Sequence, residues 1–283
     1  ALCRAAQAGT RKMIFRTLFF IFVFVPVMLI GVPLQFIITR LGLFWNVPTM
    51  VFHKLGCIFC GLRVHTIGEP LHGRPTLLLS NHISWTDIIA IGSVADVTFV
   101  AKTGVRNTFF VGFMASLQRT LYVDYNRRQD AKRTSAEMAK RLAHNGAVLL
   151  FAEGHRDLGT HVQPFRSALV GAAQEAMAEG GAKDVAIQPV TIAYTHLQGL
   201  PVSRTERAGI SGINARGFRA VVTNLLTSGV KDVTIAFGAP IPFSADTDRK
   251  AVTKVAEDQV RRMLVALNRH ERKLPALAEV APV

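Results

Sequence analysis

Acidic residues and cysteines are both scarce in this chain. Only 19 Asp and Glu stand against 33 Lys and Arg, which leaves a formal net charge of +14 over 283 residues. Such an excess fits an anionic partner, either a lipid surface or a nucleic acid. The nucleic-acid option lacks its usual marks: no zinc-finger spacing, no helix-turn-helix signal and no aromatic-basic ribonucleoprotein pattern. Three cysteines, Cys3, Cys57 and Cys60, are too few for a disulfide framework, and Cys57-x-x-Cys60 has no second pair to complete a metal site. No His-Glu-x-x-His or comparable spacing occurs, so no metal is expected. Also missing is a Gly-x-Ser-x-Gly elbow, which excludes the common serine-nucleophile arrangement.

Charge of either sign is absent from Thr17 to Ile38, and Leu18-Phe19-Phe20-Ile21-Phe22-Val23-Phe24-Val25 is apolar throughout. A bilayer span needs ~20 such residues, so the segment is long enough. Pro26, Gly31, Pro33 and Gln35 argue against one straight helix and for a kinked or re-entrant one. A weaker apolar stretch follows from Leu41 to Leu62. Together they predict a helical hairpin dipping into a membrane. A signal peptide would have a shorter core and a small-residue cleavage site, whereas this one runs into Gly31-Val32-Pro33. Arg4, Arg11, Lys12 and Arg16 precede the run and Arg40, Lys54 and Arg63 follow it, which fits both ends on the cytoplasmic side. The expected location is the cytoplasmic face of a bacterial inner membrane. Residues 1–61 are then a membrane-associated segment and 62–283 a separate domain.

That second part alternates two kinds of segment. Strands are predicted at Leu62–Gly68, Thr76–Ser80, Val97–Ala101, Thr120–Asp124, Ala147–Ala152, Val185–Tyr194 and Asp232–Phe237. Helices are predicted at Asp87–Ala95, Arg106–Leu117, Arg128–Asn145, Arg166–Gly180 and Asp246–Leu274. The alternation points to a layered α/β fold with a mainly parallel sheet flanked by helices. In such sheets reacting groups gather at strand ends. Thr195–Gly217, rich in Gly, Arg and polar residues, has no clear assignment.

The chemistry concentrates in Asn81-His82-Ile83-Ser84-Trp85-Thr86-Asp87, directly after the strand Thr76–Ser80. Residues five apart do not face each other within one helix, but across a strand-to-helix turn they can meet. Asp87 would then accept a hydrogen bond from one imidazole nitrogen of His82, fix the tautomer and leave the other nitrogen as a base. The competing reading has Asp87 capping the helix and His82 filling the strand end. Asn81 and Ser84 can bond either the turn or a substrate.

The pattern Asn-His-x-Ser-x-x-Asp resembles the first signature block of the glycerolipid acyltransferases, whose type member is 1-acyl-sn-glycerol-3-phosphate acyltransferase. Phe99-Val100-Ala101-Lys102 looks like that family's strand ending in lysine, and Arg119-Thr120-Leu121-Tyr122-Val123-Asp124 like its second block. Phe151-Ala152-Glu153-Gly154-His155-Arg156 is similar to the third, and Ile187-Gln188-Pro189-Val190 to the fourth. The resemblance runs from about Arg63 to Tyr194. It implies the fold of that family behind a two-helix membrane motif. It also implies O-acyl transfer to the free hydroxyl of a lysolipid, with 1-acyl-sn-glycerol-3-phosphate as the expected acceptor and phosphatidic acid as the product. Acyl-CoA or acyl carrier protein is the expected co-substrate, with no cofactor. His82 would deprotonate the hydroxyl, which attacks the thioester directly, and Asp87 would orient His82. Substrate binding falls to Asn81, Ser84, Lys102, Glu153, Gly154 and Arg156, with Arg156 gripping a phosphate through two parallel hydrogen bonds.

The blocks depart from the family pattern in places. Tyr125 stands where an arginine usually follows the second block, and Arg127 or Arg128 is the expected replacement. His155 replaces the usual threonine and Asp157 the usual serine, while Gly104 and Thr108-Phe109 stand where a glutamate and a Trp-Pro pair are common. Gln163-Pro164-Phe165-Arg166-Ser167-Ala168-Leu169 and Val190-Thr191-Ile192-Ala193-Tyr194 resemble the bacterial lyso-ornithine lipid acyltransferases, which makes lyso-ornithine lipid the alternative acceptor. A basic membrane scaffold that keeps the fold without catalysis is the alternative of a different class. Arg127, Arg128, Lys132, Arg133, Lys140 and Arg141 give one helix a basic face suited to anionic lipid or an acidic carrier protein.

Overall fold

The computed structural model describes residues 14–15, 17–41, 46–124, 127–144, 146–178, 184–212, 229–244 and 246–271. Its centre is a nine-stranded sheet of β1 (Leu62–Ile67), β2 (Thr76–Ser80), β3 (Thr98–Lys102), β4 (Leu121–Val123), β5 (Ala147–Phe151), β6 (Val185–Leu197), β7 (Leu200–Pro201), β8 (Lys231–Phe237) and β9 (Ile241–Phe243). The order is β1-β8-β6-β2-β5-β3-β4, with β7 and β9 also paired to β6. From β6 through β2, β5 and β3 to β4 every pairing is parallel, and β8, β9 and β7 run antiparallel to β6. The mainly parallel sheet expected from the alternation is therefore present. Its parallel strands must cross over through helices, which cover both faces.

In β2 every residue is buried, and alternation still decides which way each side chain points. Leu77 and Leu79 join Val148 and Leu150 in one core. That core is closed by α6 (Arg128–Ala143), α7 (Gly171–Ala178) and α9 (Arg249–Asn268). Leu78 and Leu149 join a second core on the opposite face, against α2 (Asn46–Cys60) and α3 (Thr86–Gly92). Two hydrophobic layers thus clamp the central strands, whose C-terminal ends are left to form the site.

Pro189 sits inside this sheet without breaking it. Its carbonyl accepts from Gly238 N at 2.8 Å, so its nitrogen faces the same side. That side is the gap where β6 leaves β9, at Ile187↔Ile241, and joins β8, at Val190↔Phe237. No ladder bond is lost to the missing N–H.

Several boundaries differ from expectation. The helix expected over Arg106–Leu117 is two, α4 (Thr103–Arg106) and α5 (Phe109–Leu117), with Asn107 and Thr108 between them. Arg166 stays extended, and the region begins with a short 3-10 turn at Ser167–Leu169 before α7, because Arg166 N bonds back to Ala152 O at 2.9 Å. The C-terminal helix starts at Arg249, where Asp248 accepts from Lys250 N. β6 runs three residues beyond Tyr194, and the unassigned stretch contains β7 and α8 (Arg204–Ser211), the latter opened by a Ser203/Glu206 capping box. Tyr125 lies outside the described residues.

Near the N-terminus no single described helix is long and apolar enough to cross a membrane. Thr17–Val23 and α1 (Val25–Leu41) pass that test together, bent by 42° at a π-helical turn over Phe20–Phe24. The bend precedes Pro26, while the helix continues through Pro33. Gln35 is buried because its amide donates to Thr49 Oγ1 at 3.2 Å and Leu117 O at 3.3 Å, tying α1 to α2 and α5. The outward side of these helices leaves Phe22, Leu29, Ile30, Ile37 and Leu41 exposed.

α2 meets α3 without room to spare. A Cβ built on Gly92 would fall 2.4 Å from the His53 ring. Gly92→Ala is therefore expected to cost about 1–3 kcal/mol through overpacking. A denaturant-unfolding midpoint equal to that of the parent protein would contradict this close approach.

Candidate active site

The site forms where β2, β3 and β5 end side by side. After Ser80 the chain leaves the sheet, and Asn81 anchors the exit. Its side-chain amide donates to Ile192 O at 3.0 Å and its carbonyl oxygen accepts from Ile192 N at 2.9 Å, extending the β2–β6 ladder by one rung. His82 follows, with its Nδ1 2.9 Å from Asp87 Oδ2. The same carboxylate oxygen accepts from Ile83 N at 2.7 Å and Ser84 N at 2.9 Å, and Tyr194 OH donates to Oδ1 at 2.7 Å. Asp87 is fully buried, and four donors make that burial tolerable. It does not cap its helix. It reaches back and holds the turn.

A carboxylate only accepts, so Nδ1 of His82 carries the proton and Nε2 keeps its lone pair. The imidazole stacks on Phe151, ring centroids 4.0 Å apart and planes 20° off parallel. Tyr194 keeps its phenolic proton because burial, and then the neighbouring Asp87 charge, push its pKa well above the ordinary value. Thr86 Oγ1 lies 2.6 Å from that hydroxyl and 3.1 Å from Ser84 Oγ.

A second carboxylate holds the backbone from the other side. Glu153, just past β5, accepts from His82 N at 2.7 Å through Oε2 and from Gln163 N at 2.8 Å through Oε1. Asp157 N in turn donates to His82 O at 2.8 Å. Gly154 adopts φ +73, a left-handed conformation that favours glycine. The segment from Gln163 to Leu169 packs under this loop, with Phe165 N bonded to Glu257 Oε2 at 3.0 Å.

His82 lines a cavity of about 630 Å³. One side is apolar, with Trp85, Ile88, Phe99, Val111 and Met114 among its walls, and the strand ends add Lys102, Gly154, His155 and Arg156. Arg156 also donates to Ser211 O at 3.3 Å, which ties it to the end of α8. The arrangement offers a fixed base beside an apolar slot and two cations.

Not every expected substrate-binding residue reaches this cavity. Asn81 and Ser84 are about 1% exposed and bonded to protein, so they build the turn. Glu153 is equally buried, with both oxygens taken by backbone N–H groups. Arg127 is 77% exposed, with Nε 3.6 Å from Asp124 Oδ2, and is not among the residues lining the cavity. Arg119, from the second block, lines a separate cavity with Arg141 at the opposite strand ends. Tyr194 was the missed member. Its signal in the sequence was a tyrosine within a buried strand, whose hydroxyl needs a partner. Among the described residues no group of His, Cys, Asp and Glu could hold a metal ion.

Burial raises the Glu153 pKa from 4.5 to about 7; the Asp157 and Asp87 charges add to the rise, and the two N–H donors oppose it. Between those values the folded protein keeps a proton that the unfolded chain releases. The contribution of this group to stability is therefore present below pH 4.5 and lost as pH rises to about 7. The difference is on the order of 3 kcal/mol. Glu153→Gln is expected to flatten the dependence of unfolding free energy on pH across that window. An unchanged slope in urea titrations would count against a perturbed Glu153.

The described geometry has known relatives. A family model described as Acyltransferase matches residues 62–193. A lyso-ornithine lipid O-acyltransferase from Brucella abortus is 38% identical over 82% of this chain and 88% of its own length. Another from Rhizobium meliloti is 32% identical over 82% of this chain and 79% of its own. A 1-acyl-sn-glycerol-3-phosphate acyltransferase from Neisseria meningitidis is 28% identical over 68% and 70% respectively. The crystal structure of PlsC, the 1-acyl-sn-glycerophosphate acyltransferase of Thermotoga maritima, superposes with a TM-score of 0.61 at 18% identity, covering 94% of this chain and 97% of that one, and so shares the fold. With two relatives above 30% identity along most of their length, this chain belongs to the acyltransferase family of lipid-synthesising enzymes.

Proposed function

We propose that the protein transfers a fatty acyl group from an acyl thioester, on CoA or acyl carrier protein, to the hydroxyl of lyso-ornithine lipid. The observation that carries the reaction is the His82–Asp87 contact opening onto an apolar cavity. Nε2 of His82 takes the proton of the acceptor hydroxyl as its oxygen attacks the thioester carbonyl. The tetrahedral intermediate then expels the thiolate, which receives the proton back from the imidazolium. Asp87 stabilises that imidazolium, and Tyr194 holds Asp87 in place. The acyl chain lies along the apolar wall. The acceptor head group meets Lys102 and Arg156.

Similarity to the lyso-ornithine lipid enzymes of Brucella and Rhizobium, at 38% and 32%, favours that acceptor. Lys102 and Arg156 in the cavity favour a second reading, in which the acceptor is 1-acyl-sn-glycerol-3-phosphate. The bent apolar pair before α2 supports attachment to a membrane, where either lysolipid resides.

Membranes containing the protein, given a labelled acyl thioester, are expected to acylate lyso-ornithine lipid faster than 1-acyl-sn-glycerol-3-phosphate. The reverse order selects the second reading, and no product with either acceptor removes both. His82→Ala is expected to lower turnover by roughly 10²–10⁴-fold. Tyr194→Phe, which removes one of the four bonds to Asp87, is expected to lower turnover about tenfold with little change in acceptor KM. Full turnover in both variants would defeat the mechanism.

A further inference from the structure

A second cavity lies at the strand ends opposite the catalytic turn. It encloses about 400 Å³ and is bounded by the starts of β3 and β5, at Thr98 and Ala147, together with Arg119 and Arg141. His72 and His144 are exposed members of its wall. Arg74 also lines it, but its charge is matched by Asp184. Asp96 is the one acid among the lining residues, and it is exposed. Cations therefore prevail in a space that the transfer chemistry does not use.

Arg119 and Arg141 reach this cavity from different helices. α5 ends in a turn where Arg119 N donates to Ser116 O and Thr120 N to Ala115 O, a pattern that normally places glycine at the position Arg119 holds. Arg119 adopts φ +54 there, in the left-handed region that a side chain disfavours. Its Nη2 donates to Thr39 O at 3.2 Å, which sets the guanidinium against the last turn of α1. Arg141 comes from the last turn of α6 and is partly buried. Glu137, one turn back, lies 3.9 Å from Arg133 Nε, and among the described residues no ion pair or side-chain hydrogen bond holds Arg141.

Burial, and then the charge of Arg119, pull the Arg141 pKa below its ordinary value, while Glu137 opposes them. The dipole of α6 accounts for a cation in its last turn. It does not account for a second cation brought to the same cavity on a left-handed residue. Like charges in a partly buried space repel, and an anion between them removes the repulsion.

We infer that Arg119 and Arg141 form a second anion site, remote from His82, that takes the phosphate group of a ligand. The planar fork of arginine meets phosphate oxygens through paired N–H···O bonds. A phosphate held by both side chains joins α6 to the contact between α5 and α1. Arg119 is bonded to the end of α1, whose apolar run supports attachment to a membrane. An anionic lipid head group is therefore the favoured source of the phosphate over a soluble one.

The full protein in neutral detergent is titrated with inorganic pyrophosphate at constant ionic strength, and separately with short-chain phosphatidylglycerol. Arg141→Gln and Arg119→Gln are each expected to weaken binding roughly 10–100-fold, since each removes a charged hydrogen-bond donor. Two controls are expected to stay within about twofold of the parent: Lys250→Gln, which removes an exposed charge elsewhere, and Arg156→Gln, which alters the catalytic cavity. An equal loss in Lys250→Gln means that net charge alone binds the probe, and a loss confined to Arg156→Gln means that the catalytic cavity does; either result overturns the site. So does binding of neither probe, or binding that survives Arg141→Gln. Arg141-dependent binding of phosphatidylglycerol identifies the head group as the ligand, whereas dependence seen with pyrophosphate alone identifies a soluble phosphate. If Arg119→Gln does not fold for want of the Thr39 bond, Arg141→Gln decides alone. No reading involves acyl transfer, so the result stands apart from the enzymatic assignment.

Discussion

A single buried carboxylate organises this molecule. Asp87 is fully removed from water, and a charge there is tolerable only because four donors surround it. Two of those donors are backbone N–H groups of the turn after β2, one is the imidazole of His82 and one is the phenol of Tyr194 from β6. The turn, the base and a central strand are thereby fixed to one point. Losing any donor leaves part of a buried charge unmatched, which is why the imidazole has one orientation rather than several.

The sheet provides that point with its surroundings. Adjacent parallel strands deliver their C-terminal ends to the same edge, so residues distant in sequence arrive together. Glu153 follows β5 and bonds the backbone of His82, which follows β2; the two strands are hydrogen-bonded neighbours. Asp157 N closes the loop back onto His82 O. The imidazole is therefore gripped through its ring by one carboxylate and through its backbone by another. Apolar side chains of α2, α3 and α5 then roof one side of the site.

The legible features were those with a local cause. Short apolar runs such as Thr76–Ser80 and Ala147–Ala152 announced themselves as buried strands, and the structure keeps them with the same starting residues, the second ending at Phe151. The approach of His82 to Asp87 was legible because a strand-to-helix turn allows it. The split between α4 and α5 was not, since the polar Arg106-Asn107-Thr108 at their junction reads equally well as the first turn of a single helix. Arg127 illustrates a different limit. Its charge suited the role of a missing cation, but its direction depends on how α6 begins, and it points to solvent beside Asp124.

Residue type and spacing alone determined that His82 and Asp87 could meet across a turn, that the chain has an α/β layering and that its N-terminal segment is apolar. These follow from short-range rules: periodicity, turn geometry and hydropathy. Tertiary structure decided which polar residues face substrate and which hold the protein together. Asn81, Ser84 and Glu153 stand in the same motifs as His82 and Arg156, yet the first three are buried and the last two line the cavity. The physical reason is that a polar side chain bonds to whatever donor or acceptor lies nearest. For Asn81 that is the backbone of Ile192, and for Asp87 the phenol of Tyr194, each more than a hundred residues away in sequence and brought near only by strand pairing.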